Sequence, residues 1–167
     1  MSATLIRRIR QNHALEHATI ALLGQRYPRT QVVGFSGPLG FTLYTNLSVK
    51  EIYPAVQEAL ERLERGEAAL AYHPNCGTNL LTAAALTVGT TSLVLQGKSI
   101  NNLSEGLERI LKAILLNALV LLLAPRLGMK VQEKVTVESN IGDLELVSIR
   151  TDPGRDFRRV YVQTRHP

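Results

Sequence analysis

Two histidines four residues apart, with a glutamate directly before the second, occur in the segment N-H-A-L-E-H-A-T at residues 12–19. On a helix, His13, Glu16 and His17 would share one face, because residues three and four apart are neighbours on a helix surface. Two imidazoles at this spacing can bind one Zn²⁺ ion. A glutamate beside them can take a proton from zinc-bound water, whose pKa the metal lowers to about 7. The segment therefore predicts a catalytic site for one zinc ion, with His13 and His17 as ligands and Glu16 as general base.

The helix that would carry this segment is predicted over residues 3–23, with Gly24 as its stop. The three polar side chains fall within its apolar face, which is formed by Ile6, Ile9, Ile20 and Leu23. A buried charge without a partner is costly, so something must satisfy these groups. A metal ion would do so, and hydrogen bonding between the histidines and the glutamate is the alternative.

A catalytic zinc ion has three protein ligands and one open position, so a third ligand must come from elsewhere in the chain. The candidates are His73 and Cys76 in the segment Y-H-P-N-C-G, where Cys76 would precede an apolar helix starting near Gly77. Glu58 and Glu61 of the second predicted helix are further candidates. A closed, structural site would use four ligands together, namely His13, His17, His73 and Cys76.

The H-A-L-E-H segment resembles the inverted zinc motif H-x-x-E-H of the inverzincin metallopeptidases. That resemblance, which covers five residues, implies zinc binding by His13 and His17, a base role for Glu16, and a downstream glutamate as third ligand. The motif beside an apolar hairpin also looks like a minimal membrane metallopeptidase, acting on peptides or membrane proteins. Peptide deformylase is a second likeness, since it combines a Cys-Gly segment with a two-histidine helix, although its helix motif runs in the opposite order.

Two apolar segments predict a transmembrane hairpin. Residues 68–97 contain no charged side chain, and residues 110–125 are mostly apolar, with Lys112 as the one charged residue. A membrane-spanning helix needs about 20 mostly apolar residues. More basic residues flank the hairpin than lie between its helices, which predicts two spans with both termini in the cytoplasm. The alternative is a buried helical hairpin in a soluble domain.

The remaining pattern predicts an α+β fold. A β-hairpin is expected within residues 31–45, and a second helix begins at the capping box Ser48-x-x-Glu51. Three strands of a small C-terminal antiparallel sheet are expected at residues 134–138, 143–149 and 158–163. The predicted parts are residues 1–76 with the metal site, residues 77–126 with the apolar hairpin, and residues 127–167, packed on the first part. The β-hairpin could also hold a peptide substrate along its edge.

Composition narrows the function classes further. The chain of 167 residues has 19 basic and 14 acidic side chains, no Trp and few aromatic residues. Because the basic residues do not form one run and no stacking platform is visible, nucleic-acid binding is not expected. Cys76 is the single cysteine, which excludes an intramolecular disulfide. No signal peptide is predicted, a homo-oligomer is compatible with the pattern, and His166 is expected to be exposed or disordered.

Overall fold

The computed structural model describes residues 2–96, 102–152 and 158–166. The chain forms two compact units, of which the first comprises Met1–His73 with Glu133–Pro167 and the second comprises Pro74–Gln132. The predicted α+β class is confirmed, with helices, an antiparallel sheet and two apolar helices.

The first unit contains two helices, a 3-10 turn and four strands. In chain order these are α1 (Ser2–Arg26), β1 (Val33–Gly37), β2 (Gly40–Thr45), α2 (Val49–Glu64), the 3-10 turn (Ala68–Ala71), β3 (Glu145–Thr151) and β4 (Arg158–Arg165).

Helix α1 carries the His-Glu-His segment and is longer than predicted. It continues through Gly24, the expected stop, and ends at Arg26. The break comes at Pro28, because the ring of a proline disfavours the helical conformation in the residue before it, here Tyr27. The segment with the two histidines therefore lies in the middle of a long helix, where its backbone is fixed on both sides.

The four strands form one antiparallel sheet in the order β1-β2-β4-β3. The two central strands pair so that Leu43 lies opposite Val160 and Phe41 lies opposite Val162. These four side chains are fully buried and form the part of the core that the sheet contributes. The C-terminal strands thus join the N-terminal hairpin in a single sheet and leave β1 and β3 as its edges.

The strand predicted at residues 134–138 is wrong. Residues Gln132–Thr136 form a π-helical turn that follows directly on the last helix of the second unit. The alternating Val and Thr residues there suit a strand, but the helix running into them supplies the backbone hydrogen bonds instead. The segment S-N-I-G-D predicts a turn at residues 139–143. The structure confirms this turn, with Asn140 accepting a hydrogen bond from the Gly142 N–H at 3.2 Å and Gly142 at a φ of 57°. The segment T-D-P-G-R predicts a second turn at residues 151–155, which lies partly outside the described residues.

Helix α2 begins at the predicted capping box. The Glu51 carboxylate accepts hydrogen bonds from both the backbone N–H and the hydroxyl of Ser48, each at 2.7 Å. Its apolar face, which includes Ile52 and Val56, is buried in the same core as Leu15 of α1. Helix α2 packs against α1, and α1 also packs against β1 and β2 of the sheet.

The second unit is a helical hairpin of α3 (Gly77–Leu95) and α4 (Leu103–Val131). Cys76 is the N-cap of α3, where its sulfur accepts a hydrogen bond from the Thr78 N–H at 3.4 Å. Asn102 is predicted to cap the second apolar helix together with Glu105. It caps α4 by accepting a hydrogen bond from the Glu105 N–H at 2.9 Å. The sequence predicts a polar loop at residues 97–104 between the helices, of which residues 97–101 lie outside the described residues.

Polar side chains of this hairpin face each other, whereas its apolar side chains face outward. Asn117 of α4 accepts a hydrogen bond from the Thr90 hydroxyl at 2.7 Å and donates one to the Thr91 hydroxyl at 2.8 Å. On the outer surface, Leu115 and Leu81 are each 71% exposed. Both helices are long and apolar enough to cross a membrane. This distribution is the reverse of the one in a water-soluble helical pair.

Candidate metal centre

The middle of α1 is buried, polar side chains included. Glu16 is 4% exposed and His17 is 3% exposed, while His13 is half-buried. The predicted inward placement of the segment is therefore confirmed. The prediction is wrong for Ile6, which is 57% exposed because the first turns of α1 lie beyond the core.

The two histidines of the motif face each other across one helical turn. Their ring centroids are 4.3 Å apart, with an angle of 63° between the ring planes. Their metal-binding nitrogens approach within 4.8 Å of one another. Two nitrogens bonded to one tetrahedral zinc ion at about 2.0–2.1 Å stand about 3.4 Å apart, a separation that lies within this 4.8 Å limit.

Each of these imidazoles is oriented by a backbone carbonyl. Nδ1 of His13 donates to the Thr136 carbonyl at 2.9 Å, and Nδ1 of His17 donates to the Ala71 carbonyl at 2.7 Å. Because a carbonyl only accepts, the proton of each neutral ring lies on Nδ1, and the lone pair lies on Nε2. Histidine ligands of zinc are commonly held in this way, with the other ring nitrogen hydrogen-bonded to a carbonyl or carboxylate.

Glu16 contacts the edge strand of the sheet. Its Oε2 accepts a hydrogen bond from the Ser36 hydroxyl of β1. Its side chain also lies against the backbone of Gly34, so closely that a Cβ on that glycine would stand 2.6 Å from Cδ and 2.7 Å from Cγ of Glu16. Gly34 thus leaves the space in which the buried carboxylate lies, and Ser36 fixes its direction.

His73 is the third histidine of this unit. It follows the 3-10 turn that ends at Ala71, and its ring centroid lies 6.0 Å from that of His17. The end of this turn therefore supplies the carbonyl that orients His17, and His73, two residues later, places a further imidazole beside it.

The other predicted ligands have different surroundings. Cys76 belongs to the second unit, three residues after His73. Glu58 forms ion pairs with Arg26 and, at 3.4 Å, with Arg62, and Glu61 is exposed. Glu58 is thus paired with two arginines, and Glu61 lies on the surface of α2.

Comparisons with known proteins place the chain in a family. A family model described as "Domain of unknown function (DUF6391)" matches residues 8–149, which is most of the chain. The protein belongs to this family. The match includes all five predicted site residues, namely His13, Glu16, His17, His73 and Cys76.

One relative comes from Picosynechococcus sp. (strain ATCC 27264 / PCC 7002 / PR-6) and is described as an uncharacterized protein. It is 41% identical over 90 residues, which are 48% of this chain and 44% of the relative. The matched region thus spans less than half of the relative's length. No solved structure gives a significant match.

Several contacts of the site are not visible in the side-chain pattern of the sequence. Ser36 and Gly34 contact Glu16, yet the sequence marks them only as part of a glycine-rich hairpin. Asn12, the first residue of the motif segment, is fully buried; it donates to the Gly37 carbonyl at 2.8 Å and accepts from the Thr164 hydroxyl at 2.7 Å. Asn12 therefore ties α1 to the sheet, next to the residues of the site.

Proposed function

We propose that the protein is a small zinc-dependent peptidase of the membrane, with His13 and His17 as zinc ligands and Glu16 as general base. One observation carries the proposal: two facing imidazoles in the middle of α1 each donate from Nδ1 to a backbone carbonyl. This arrangement prepares both Nε2 lone pairs for a cation. Zinc, when bound, would supply a Lewis acid and a water molecule with a pKa of about 7.

Glu16 has the environment that a general base requires. The carboxylate is buried in the same helical turn as the two histidines, and the Ser36 hydroxyl holds one oxygen. A base that is held in place can accept a proton from a water molecule and pass it to the leaving amine, which contributes about 10²–10⁴-fold to rate. Glu16 would act in this way without binding the metal itself.

The third ligand is proposed to be His73 or Cys76. The ring of His73 lies beside that of His17, at a centroid distance of 6.0 Å. Cys76 follows three residues later, and the backbone alone limits the separation of their Cα atoms to about 11 Å. Binding by only one of these two side chains leaves a position open for water, whereas binding by both would close the site and make it structural.

The substrate is proposed to be an extended peptide, taken from a soluble or a membrane protein. Strand β1 is an edge of the sheet, so its outer hydrogen-bonding groups can pair with an added strand. Glu16 contacts Gly34 and Ser36 of this same strand. A peptide paired with β1 would therefore run past the carboxylate that is proposed as the base.

Helices α3 and α4 are proposed to cross the bilayer with both termini in the cytoplasm. Two features of the hairpin support the crossing: its leucines face outward, and its amide and hydroxyl groups pair inside. The orientation rests on basic residues before α3 and in the last turns of α4, such as Arg62, Arg126 and Lys130. A green fluorescent protein fused to the C-terminus should fluoresce if that end is cytoplasmic. If fusion proteins that are folded and inserted show no fluorescence, the proposed orientation of the termini is reversed.

The substitution Glu16→Gln tests the proposed function. It keeps the size of the side chain and its hydrogen bond with Ser36 but removes the basic oxygen. We expect zinc content to stay near that of the wild type, while hydrolysis of a fluorogenic peptide library falls by at least about 10²-fold. Glu61→Gln is the matched control, because Glu61 is exposed, and it should behave as the wild type. Unchanged hydrolysis in Glu16→Gln would exclude Glu16 as the base; no wild-type hydrolysis together with stoichiometric zinc would favour a structural site.

A further inference from the structure

A basic cavity lies in the first unit, formed by residues that the proposed peptidase site does not use. It has a volume of about 210 Å³ and lies between the first turns of α1, the turn that contains Gly142, and the residue after β4. Its lining includes Arg7 and Arg8 of α1, His166 and Asp143. Such a volume far exceeds the 10–15 Å³ that a single water molecule needs.

The cationic side chains of this cavity lack partners within the described part of the chain. Neither Arg7 nor Arg8 forms a salt bridge there, unlike Arg10, which pairs with Glu138 at 3.7 Å. Arg8 Nε and His166 Nε2 are buried, and among the described residues neither atom has a hydrogen-bond partner. Buried polar atoms without a hydrogen-bond partner are rare and destabilising, which points to a partner that the described residues do not supply.

The electrostatics of the cavity favour an anion. Burial and the neighbouring charges of Arg8 and Arg7 hold the pKa of His166 below its ordinary value, so the cavity is already electropositive with a neutral imidazole. An anion between these groups would reverse that effect and favour the imidazolium form. Asp143 is the acidic side chain in the lining, and it is exposed to solvent, which screens its repulsion of an anion.

We propose that this cavity binds a phosphate group through Arg7, Arg8 and His166. Two guanidinium groups can each form paired, charge-assisted hydrogen bonds with phosphate oxygens, and the imidazole can provide a further donor. The phosphate could be that of a lipid headgroup or of a soluble ion. Leu5 and Ile6, next to Arg7 in the chain, are 49% and 57% exposed, which suits contact with lipid chains beside a headgroup.

The test uses the full chain in a neutral detergent at constant ionic strength. Calorimetric titration with inorganic phosphate should show one saturable site, and the double variant Arg7→Gln/Arg8→Gln should bind at least tenfold more weakly. The matched control is Arg29→Gln/Arg150→Gln, which removes the same charge from exposed arginines elsewhere in the same unit and should bind as the wild type. Equal binding by the two double variants, or no binding by the wild type, would overturn the proposal.

A second measurement does not depend on any variant folding. In the wild-type protein, nuclear magnetic resonance of the His166 imidazole should show its pKa rising when phosphate, but not chloride, is added. An unchanged His166 titration would also overturn the proposal. Titration with a water-soluble short-chain phosphatidylglycerol separates the two sources: tighter binding than inorganic phosphate identifies a lipid headgroup, and weaker binding identifies a soluble phosphate.

Discussion

Replacing Gly34 by alanine should disable the proposed base without touching the zinc ligands. The added Cβ would stand 2.6 Å from Cδ of Glu16 and closer still to its Oε1, whereas ordinary contacts begin at 3.4 Å, so the carboxylate must retreat by at least about 0.8 Å. A displacement of about 1 Å in a catalytic group can lower the rate about 10²-fold. Overpacking of a buried site typically lowers the free energy of unfolding by about 1–3 kcal/mol. Gly34→Ala should therefore lose most of its peptide hydrolysis and remain folded.

Three measurements on Gly34→Ala are decisive together. These are the kcat/KM for a fluorogenic peptide library, the zinc content by elemental mass spectrometry, and the melting temperature. Gly24→Ala is the matched control, because Gly24 lies in α1 and a Cβ there would meet nothing within 4 Å. That control should keep full activity and gain up to about 1 kcal/mol of stability from improved helix propensity. Full activity in Gly34→Ala would refute the reasoning, and loss of its zinc would show that Glu16 serves the metal rather than a water molecule.

Two further predictions concern the membrane helices and the pH dependence of stability. Leu115→Arg places a charge near the centre of the apolar segment of α4. In a bilayer, this raises the free energy of helix insertion by about 2.5–3.5 kcal/mol. On a water-exposed surface, the same substitution usually changes the free energy of unfolding by no more than about 0.5 kcal/mol. It should reduce the fraction of protein that resists carbonate extraction, whereas Leu103→Arg at the start of the helix should not; equal extraction would contradict a spanning α4. In α2, hydrogen bonds from the Ser48 hydroxyl and backbone N–H lower the pKa of Glu51 in the folded protein. The stability from this interaction is therefore present above the unfolded pKa of about 4.3 and is lost as the pH falls through the lower, folded value, so acid melting curves of Glu51→Gln should show a smaller loss than the wild type.

The local elements of the fold could be predicted because their signals are local. Ser48 and Glu51 mark the start of α2, and Asn102 marks the start of α4, since caps act within one helical turn. Residues 134–138 show the opposite case. Their alternating pattern suits a strand, but the preceding helix overrides a propensity of so few residues.

The pairing of β2 with β4 could not be predicted from the pattern of either strand. It joins Leu43 to Val160 across more than a hundred residues, so it depends on which apolar faces the whole fold brings together. The same holds for His166, which was expected to be exposed or disordered and is half-buried beside the first turns of α1.

The candidate site also has a part that could be predicted from the sequence and a part that could not. The spacing of His13, Glu16 and His17 predicts a shared helical face, and the structure confirms that face and its burial. The carbonyls of Ala71 and Thr136 orient the imidazoles. Because every residue has a backbone carbonyl, these contacts cannot be predicted from residue types. The third ligand stays a prediction, because His73 and Cys76 both suit zinc.

The zinc content of the protein purified without added metal tests the central claim most directly. We predict about one zinc ion per chain, retained in His166→Ala and lost in the double variant His13→Ala/His17→Ala. A parallel measurement on cobalt-substituted protein should show a thiolate-to-cobalt charge-transfer band that Cys76→Ser removes if Cys76 is the third ligand. Absence of zinc from both the native and the zinc-repleted protein, or full zinc occupancy in the double histidine variant, would contradict the metal centre proposed for α1.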